Sequence, residues 1–177
     1  MPNLLFIHIP RTGGTSIRSA LGWSERAVHE TAEEALRRLG REKFDAAIKF
    51  TVVRNPYSWL ASYYRTYRAS KEPFDRFIRS VTENPRGLLC RQTSRIITEG
   101  LISPTIVMFN ETLAENWKEF AIHHGLPQQL PRKNVGRSDI KVEYTEDLAN
   151  LVYTAYRTDF ESLGYQRLTV QDPTNEP

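Results

Sequence analysis

The sequence predicts an α/β fold with a mostly parallel sheet that is flanked by helices on both faces. Two apolar segments, residues 3–9 and 46–53, have the length and composition of buried strands. Each is followed by a turn and then by a segment with helical hydrophobic spacing. This alternation is typical of parallel strands, because a helix returns the chain to the start of the next strand.

The other segments continue the alternation. The expected strands are residues 3–9, 27–29, 46–53 and 105–109. The expected helices are residues 15–22, 31–39, 56–68, 73–83, 88–99, 112–124 and 145–158.

Terminal residues support several of these helices. Thr15 and Ser16 are candidate N-caps of the first helix, and Thr31 and Glu34 have the spacing of a capping box in the second. Pro56 suits a first helical turn, where its missing N–H is not needed. Helix 112–124 is followed at once by a glycine, a common helix terminator.

Length and composition favour one domain, residues 1–170, with a frayed tail at 171–177. We find neither a signal peptide pattern nor an apolar run long enough to span a membrane, so a cytoplasmic protein is expected. The chain has one cysteine, Cys90, which cannot form an intrachain disulfide. Cys90 and the four histidines lack zinc-site spacing, and no metal is expected.

The charge is unevenly distributed. The net charge of +3 is too small to indicate nucleic-acid binding, and no nucleic-acid partner is expected. However, residues 54–95 contain nine basic and three acidic side chains, whereas residues 139–177 contain three basic and eight acidic ones. A positive central region would attract an anionic substrate. A solvated helix face with mixed charges is the alternative explanation.

The turn after the first strand has the components of an anion-binding loop. Residues 10–16 read Pro-Arg-Thr-Gly-Gly-Thr-Ser and lead directly into a helix. Glycines let backbone N–H groups converge, and a helix N-terminus adds partial positive charge. An ordinary strand-to-helix turn is the alternative, but a cation and three hydroxyls lie within the same six residues, 11–16.

This loop matches neither common nucleotide fingerprint. Thr15, not lysine, follows Gly14, and the pattern G-x-G-x-x-G is absent. The loop instead resembles the 5′-phosphosulfate loop of sulfotransferases that use 3′-phosphoadenosine 5′-phosphosulfate (PAPS), in which lysine is commonest at the position of Arg11. The resemblance implies a P-loop-like sulfotransferase architecture and nucleotide binding by Arg11, Thr12, Gly13, Gly14, Thr15 and Ser16.

A second segment strengthens the resemblance. Residues 53–56 read Val-Arg-Asn-Pro, with Arg54 at the carboxyl end of a strand, where open α/β sheets bind ligands. This segment is similar to the sulfotransferase 3′-phosphate motif. The resemblance implies that Arg54 and Ser62, eight positions apart, grip the 3′-phosphate of PAPS. Trp59 stands where relatives often have a second arginine. Taken alone, Arg54 could be a surface ion pair and Ser62 a structural helix residue.

A late basic segment, residues 130–138, resembles the loop that closes over PAPS in relatives. Arg137 or Arg132 would then lie near the nucleotide. Surface charge without a ligand is the alternative.

For catalysis, His29 is the first candidate for the base that accepts the proton of the acceptor hydroxyl, because its ordinary pKa is near neutral. Glu30 is the competing candidate, since sulfotransferases use a histidine or a glutamate in this region. Arg11 would stabilise the leaving phosphate electrostatically, as a guanidinium keeps its proton. His8 is expected to be a buried, hydrogen-bonded histidine.

The resemblance therefore implies a PAPS-dependent sulfotransferase that modifies a hydroxyl of a carbohydrate or small metabolite and releases adenosine 3′,5′-bisphosphate (PAP). The alternatives are a P-loop-like nucleotide kinase, a non-catalytic nucleotide-binding module and a nucleic-acid binder. The acceptor and the oligomeric state are not evident from the sequence.

Overall fold

The computed structural model describes residues 3–24, 28–133 and 139–170. Its strands are β1 (Leu4–Ile7), β2 (Ile48–Val53), β3 (Ile97–Thr98), β4 (Leu101–Ile102) and β5 (Ile106–Phe109). Its helices are α1 (Gly14–Ala20), α2 (Ala32–Leu39), α3 (Arg41–Asp45), α4 (Pro56–Tyr67), α5 (Phe74–Glu83), α6 (Gln92–Ile96), α7 (Leu113–His124), α8 (Glu146–Ala155) and α9 (Arg157–Leu163). Two short 3-10 helices span Gly87–Leu89 and Asn110–Thr112.

The main sheet is parallel and has the strand order β1-β2-β5. Leu4 pairs with Ile48 at one end of β1 and Ile7 with Thr51 at the other, while Val53 pairs with Phe109. Because all three strands run in the same direction, the residues that follow them meet at one edge of the sheet. This parallel sheet with its flanking helices confirms the predicted α/β class.

The chain divides into two compact units, and each is described separately. The first comprises the described parts of residues 1–54 and 90–135, and the second those of residues 55–89 and 136–177. The organisation as one domain stays a prediction, and the tail at 171–177 lies outside the described residues.

An apolar layer holds the first unit together. Phe6, Phe50 and Met108 come from the three parallel strands, and Ile17 from α1 and Trp117 from α7 pack in the same cluster. The Phe6 and Phe50 rings are stacked with their centroids 4.8 Å apart. Burial of these side chains fixes α1 and α7 against the sheet, and it thereby fixes the start of α1 after β1.

The second unit packs helices around aromatic side chains. Trp59 of α4 is fully buried, and its ring meets Tyr156 edge-on at 5.9 Å. The Tyr156 hydroxyl donates to the Leu89 carbonyl oxygen at 2.8 Å. Tyr156 itself has φ −107° and ψ 20°, so it interrupts the helix predicted at 145–158 and separates α8 from α9. Tertiary packing here overrides the local helical pattern.

Three strand predictions are confirmed with narrower bounds, but the strand around 27–29 is wrong for its described part. Val28 and His29 belong to no strand, and residue 27 lies outside the described residues. Here the His8 carbonyl oxygen contacts Nδ1 of the His29 ring at 3.2 Å, which is a side-chain contact and not a strand pairing. Val28 is 61% exposed, which a buried strand would not allow.

Of the three helix starts predicted from terminal residues, those of α2 and α4 are confirmed and that of α1 is wrong. Thr31 and Glu34 form the predicted capping box, and Pro56 occupies the first turn of α4. The N-cap of α1, however, is Gly13, and no side chain caps that helix. Thr15 and Ser16 lie inside the first turn, so their prediction as N-caps is wrong.

The helix predicted at 88–99 is confirmed only in part. Its α-helical portion is α6 (Gln92–Ile96), the 3-10 helix Gly87–Leu89 precedes it, and β3 and β4 form an antiparallel hairpin after it. The two linking residues, Glu99 and Gly100, have φ values of +52° and +80°. Two successive residues with positive φ are what a tight two-residue hairpin requires.

Within the part of the chain that the structure describes, no helix has both the length and the apolarity needed to cross a bilayer.

Candidate active site

The loop after β1 has an unusual backbone. Arg11 has φ +64° and Gly13 has φ +97°. A left-handed conformation is costly for a residue other than glycine, so the surroundings must hold Arg11 in place. One contribution comes from Thr12, whose buried hydroxyl donates to the Ile9 carbonyl oxygen at 2.8 Å. The hydroxyl of Thr12 is therefore used inside the protein, where Thr12 is fully buried.

Side chains from the other two strands bind the carbonyl oxygens of this loop. Arg54, directly after β2, donates from Nη1 to the Arg11 carbonyl oxygen at 3.2 Å. Asn110, directly after β5, donates from Nδ2 to the Thr12 carbonyl oxygen at 2.9 Å. In a trans peptide the N–H points opposite to the C=O. The N–H groups of Thr12 and Gly13 are consequently directed away from these two donors.

The two glycines are required by close packing. A Cβ on Gly14 would lie 2.0 Å from Nε2 of His8, and a Cβ on Gly13 would lie 2.4 Å from Cδ2 of Leu113. Neither distance is possible unless the loop or the neighbouring side chain moves. The glycines thus let the loop lie directly on the His8 ring and on the start of α7.

Ser16 connects the loop to the late basic segment. It is buried, and its hydroxyl oxygen accepts a hydrogen bond from the Lys133 N–H at 3.2 Å. The segment that the sequence placed near the nucleotide therefore reaches the loop through Lys133. Arg132 is exposed beside it. Arg137 lies outside the described residues.

The backbone of Arg54 is held by a side chain that the sequence did not suggest. Gln92, in α6, accepts from the Arg54 N–H at 2.9 Å and donates from Nε2 to the Arg54 carbonyl oxygen at 2.7 Å. Gln92 is fully buried. Arg54 is thus fixed at its main chain by Gln92 and bound through its guanidinium to Arg11.

Ser62 belongs to the second unit. It is buried in α4, and its carbonyl oxygen accepts from the Thr66 hydroxyl at 2.9 Å. Trp59, at the position where relatives often have a second arginine, is fully buried as a core residue. The role of Ser62 in phosphate binding stays a prediction.

The His29 ring is oriented by the backbone of His8. Its Nδ1 lies 3.2 Å from the His8 carbonyl oxygen, so in the neutral ring Nδ1 carries the hydrogen and Nε2 carries the lone pair. Burial lowers the pKa of His29, and the nearby positive charges of Arg95 and Arg18 lower it further against the opposing effect of the His8 hydrogen bond. Arg95 also donates from Nη2 to the His29 carbonyl oxygen. His29 is therefore held neutral, in the tautomer that can accept a proton at Nε2.

Glu30 has a different environment. Its carboxylate forms a two-point ion pair with Arg38 of α2, in which Arg38 Nε donates to Glu30 Oε2 at 2.9 Å and Nη2 donates to Oε1. Both oxygens are therefore paired with a guanidinium. A carboxylate in such a pair has to give up one of these hydrogen bonds before it can accept one from a substrate.

His8 is buried, as expected, but its predicted hydrogen bond is only partly realised. Nδ1 has no hydrogen-bond partner among the described residues. Burial lowers the pKa of His8 to about 3, with repulsion from His29, Arg18 and Arg95 as further causes. The His8 ring lies 4.4 Å from the His29 ring, centroid to centroid. The neutral His8 ring thus packs against both Gly14 and the His29 ring.

Three contributors to this site were missed from the sequence: Gln92, Asn110 and Lys133. Asn110 follows a predicted strand directly, so the rule that led to Arg54 applies to it equally. The roles of Gln92 and Lys133 depend on contacts across 38 and 117 residues, for which the sequence offers no local signal. Among the described residues, no group of three or more histidine, cysteine, aspartate or glutamate side chains is arranged to hold a metal ion.

Comparison with known proteins identifies the family. The model of the sulfotransferase family matches residues 2–166, a span that includes the loop after β1, the end of β2 and the late basic segment. A search of curated proteins gives no match. Since the family match extends over most of the 177 residues, the chain belongs to the sulfotransferase family.

Proposed function

We propose that this protein transfers a sulfuryl group from PAPS to the hydroxyl of a carbohydrate or small metabolite. The observation that carries the proposal is the hydrogen bond from the Arg54 guanidinium to the Arg11 carbonyl oxygen, 3.2 Å long. It joins the two segments that resemble the 5′-phosphosulfate and 3′-phosphate motifs at the carboxyl edge of one parallel sheet. Two cationic side chains beside a glycine-bearing loop at a helix N-terminus suit a nucleotide with phosphates at both ends.

Each phosphate has candidate partners. The N–H groups of the loop and the Arg11 guanidinium bind the 5′-phosphosulfate. Arg54, with Ser62, binds the 3′-phosphate, because a planar guanidinium can donate two parallel hydrogen bonds to it. Arg132, which is exposed next to Lys133, is the candidate cation of the late basic segment for the nucleotide, and Arg137 stays the alternative from the sequence.

The proposed transfer is an in-line displacement at sulfur. The acceptor oxygen forms a bond to sulfur while the bond between sulfur and the bridging oxygen of the 5′-phosphate breaks. The electron pair of that bond stays on the phosphate of PAP, where Arg11 and the loop N–H groups stabilise the added charge. The acceptor proton passes to Nε2 of His29. Arg11 provides charge only, since its guanidinium does not release a proton.

His29 is a better candidate for the base than Glu30. The hydrogen bond from its Nδ1 to the His8 carbonyl oxygen leaves the Nε2 lone pair to accept a proton, and its lowered pKa keeps it neutral at pH 7. Both oxygens of Glu30, in contrast, are paired with Arg38. Glu30 therefore serves as the control position.

A thermal-shift panel tests the nucleotide class. We expect PAP at 100 times its Kd to stabilise the protein by about 2.7 kcal/mol, which raises the melting temperature by about 5–10 °C. ADP, ATP and AMP at the same concentration should give much smaller shifts. A large shift with ATP and magnesium, and a small one with PAP, would support a nucleotide kinase instead.

Turnover separates an enzyme from a binding module. Incubation with sulfur-labelled PAPS and a panel of hydroxyl acceptors should transfer the label and release PAP. Tight PAP binding without label transfer to any carbohydrate or small-molecule hydroxyl would favour the non-catalytic module.

A further inference from the structure

Gln92 uses both ends of one side-chain amide on the main chain of a single residue. Its Oε1 accepts from the Arg54 N–H at 2.9 Å, and its Nε2 donates to the Arg54 carbonyl oxygen at 2.7 Å. Arg54 immediately follows Val53, the last residue of β2, which pairs with Phe109 of β5. The Gln92 amide therefore offers Arg54 one donor and one acceptor, as the backbone of a neighbouring strand would. It does so one residue beyond the last β2–β5 pair, Val53 and Phe109.

This arrangement fixes the starting point of the Arg54 side chain. An arginine side chain has many rotamers, and an unrestrained one loses much entropy when it binds a phosphate. Here the main chain is held by Gln92 on both polar groups, and the guanidinium is bound to the Arg11 carbonyl oxygen at 3.2 Å. Contacts at the main chain and at the guanidinium thus hold Arg54 in position without a ligand.

Gln92 cannot itself contact a ligand in this structure, because it is fully buried. An effect of Gln92 on nucleotide binding through its two contacts with Arg54 is therefore indirect. The chemistry of the residue is also specific. Methionine has a similar length but neither donor nor strong acceptor, and asparagine has the amide but is one methylene too short to reach both groups.

We propose that Gln92 is a positioning residue that sets the preference of Arg54 for nucleotides with a 3′-phosphate. This inference rests on the proposed function, in which Arg54 binds that phosphate. It predicts that replacing Gln92 weakens PAP binding selectively and leaves AMP binding nearly unchanged, since AMP has no 3′-phosphate.

Calorimetric titration with PAP and AMP measures the effect as a ratio of the two affinities. We expect Gln92→Met and Gln92→Asn to reduce this ratio by about tenfold, a part of what a charged hydrogen bond contributes. The matched control is Ser94→Ala, which removes the hydrogen bond from the Ser94 hydroxyl to the Arg91 carbonyl oxygen in the same helix. The control should leave the ratio within about twofold of wild type.

A double-mutant cycle distinguishes positioning from general destabilisation. In an Arg54→Ala background the main chain of residue 54 is retained, so Gln92→Met should still lower the melting temperature. In this background Gln92→Met should no longer change the ratio of PAP to AMP affinity, because the Arg54 side chain that Gln92 positions is absent. A purely structural role would lower both affinities together in both backgrounds.

The possible failures point to different errors. A folded Gln92→Asn or Gln92→Met variant with the wild-type ratio would overturn the positioning role while the proposed function stands. A wild-type protein that binds PAP no better than AMP would instead overturn the proposed function. Gln92→Asn is expected to fold, because its amide can still pair with one of the two backbone groups.

Discussion

Acidification should destabilise this protein through His8. Burial, His29, Arg18 and Arg95 lower the pKa of His8 to about 3, whereas in the unfolded chain it takes the ordinary value of about 6.5. Well above pH 6.5 the ring is neutral in both states, so His8 adds no pH dependence to the stability there. Below about pH 6.5 the unfolded chain binds a proton that the folded protein does not, so the free energy of unfolding falls with decreasing pH.

The size of this effect follows from the two pKa values. The slope approaches about 1.4 kcal/mol per pH unit, and the full loss, reached below about pH 3, is about 5 kcal/mol, comparable to the whole stability of many domains. Between about pH 6.5 and pH 4.5 the contribution of His8 should be a loss of about 2 kcal/mol. Because His8 lies beneath Gly14 and orients His29, the loop and the proposed base are lost together with the fold.

Urea unfolding at several pH values tests this prediction against His8→Gln, whose side chain does not titrate. Carboxylates and His29 contribute equally to both proteins, so the difference isolates His8. The wild type should lose about 2 kcal/mol more than the variant between about pH 6.5 and pH 4.5. Parallel pH profiles would show that His8 is protonated equally easily in the folded and unfolded states, and would refute the assignment.

Five substitutions at four positions follow from the site. Arg11→Ala should lower kcat more than it weakens PAP binding, because leaving-group charge develops in the transition state, and Arg11→Lys should retain much of the activity. His29→Ala should fold, bind PAP and lose roughly 10²–10⁴-fold in rate, whereas Glu30→Gln should keep most of it. The wild-type rate should fall only below about pH 6.5, since the pKa of His29 is lowered. Gly14→Ala should lower the free energy of unfolding by about 1–3 kcal/mol, because its Cβ would lie 2.0 Å from the His8 ring.

Kinetics and chemical unfolding check these outcomes. An Arg11→Ala variant with raised KM and unchanged kcat would contradict the transition-state role. Loss of rate in Glu30→Gln with full activity in His29→Ala would make the carboxylate the base. For Gly14→Ala, adding His8→Ala should restore part of the stability by removing the ring, and strict additivity of the two losses would argue against the clash.

Local signals made much of the fold predictable. The apolar runs that became β1 and β2, and the capping box at Thr31, depend on neighbours a few residues away. Tyr156 and His29 were mispredicted because their conformations depend on distant groups, the Leu89 carbonyl oxygen for Tyr156 and the His8 carbonyl oxygen for His29. A hydrophobic pattern contains no information on such contacts.

The residues of the candidate site likewise include some that local sequence patterns predicted and some that they did not. Arg11 and Arg54 were predicted because each lies in the turn after a predicted strand and belongs to a motif. Gln92 was not, because a polar residue in a short helix has no distinguishing pattern and its two hydrogen bonds to Arg54 depend on the tertiary structure. Its complete burial and its two backbone contacts with one residue are visible only in the structure.

The central claim is that Arg54 recognises a 3′-phosphate on an adenosine nucleotide, and calorimetry with PAP and AMP on wild type and Arg54→Ala tests it most directly. We predict that the wild type binds PAP far more tightly than AMP. Arg54→Ala should lose about 1.5–3 kcal/mol of PAP binding, the contribution of a charged hydrogen bond, and almost none of AMP binding. Equal losses for the two nucleotides, or equal affinities in the wild type, would contradict the account.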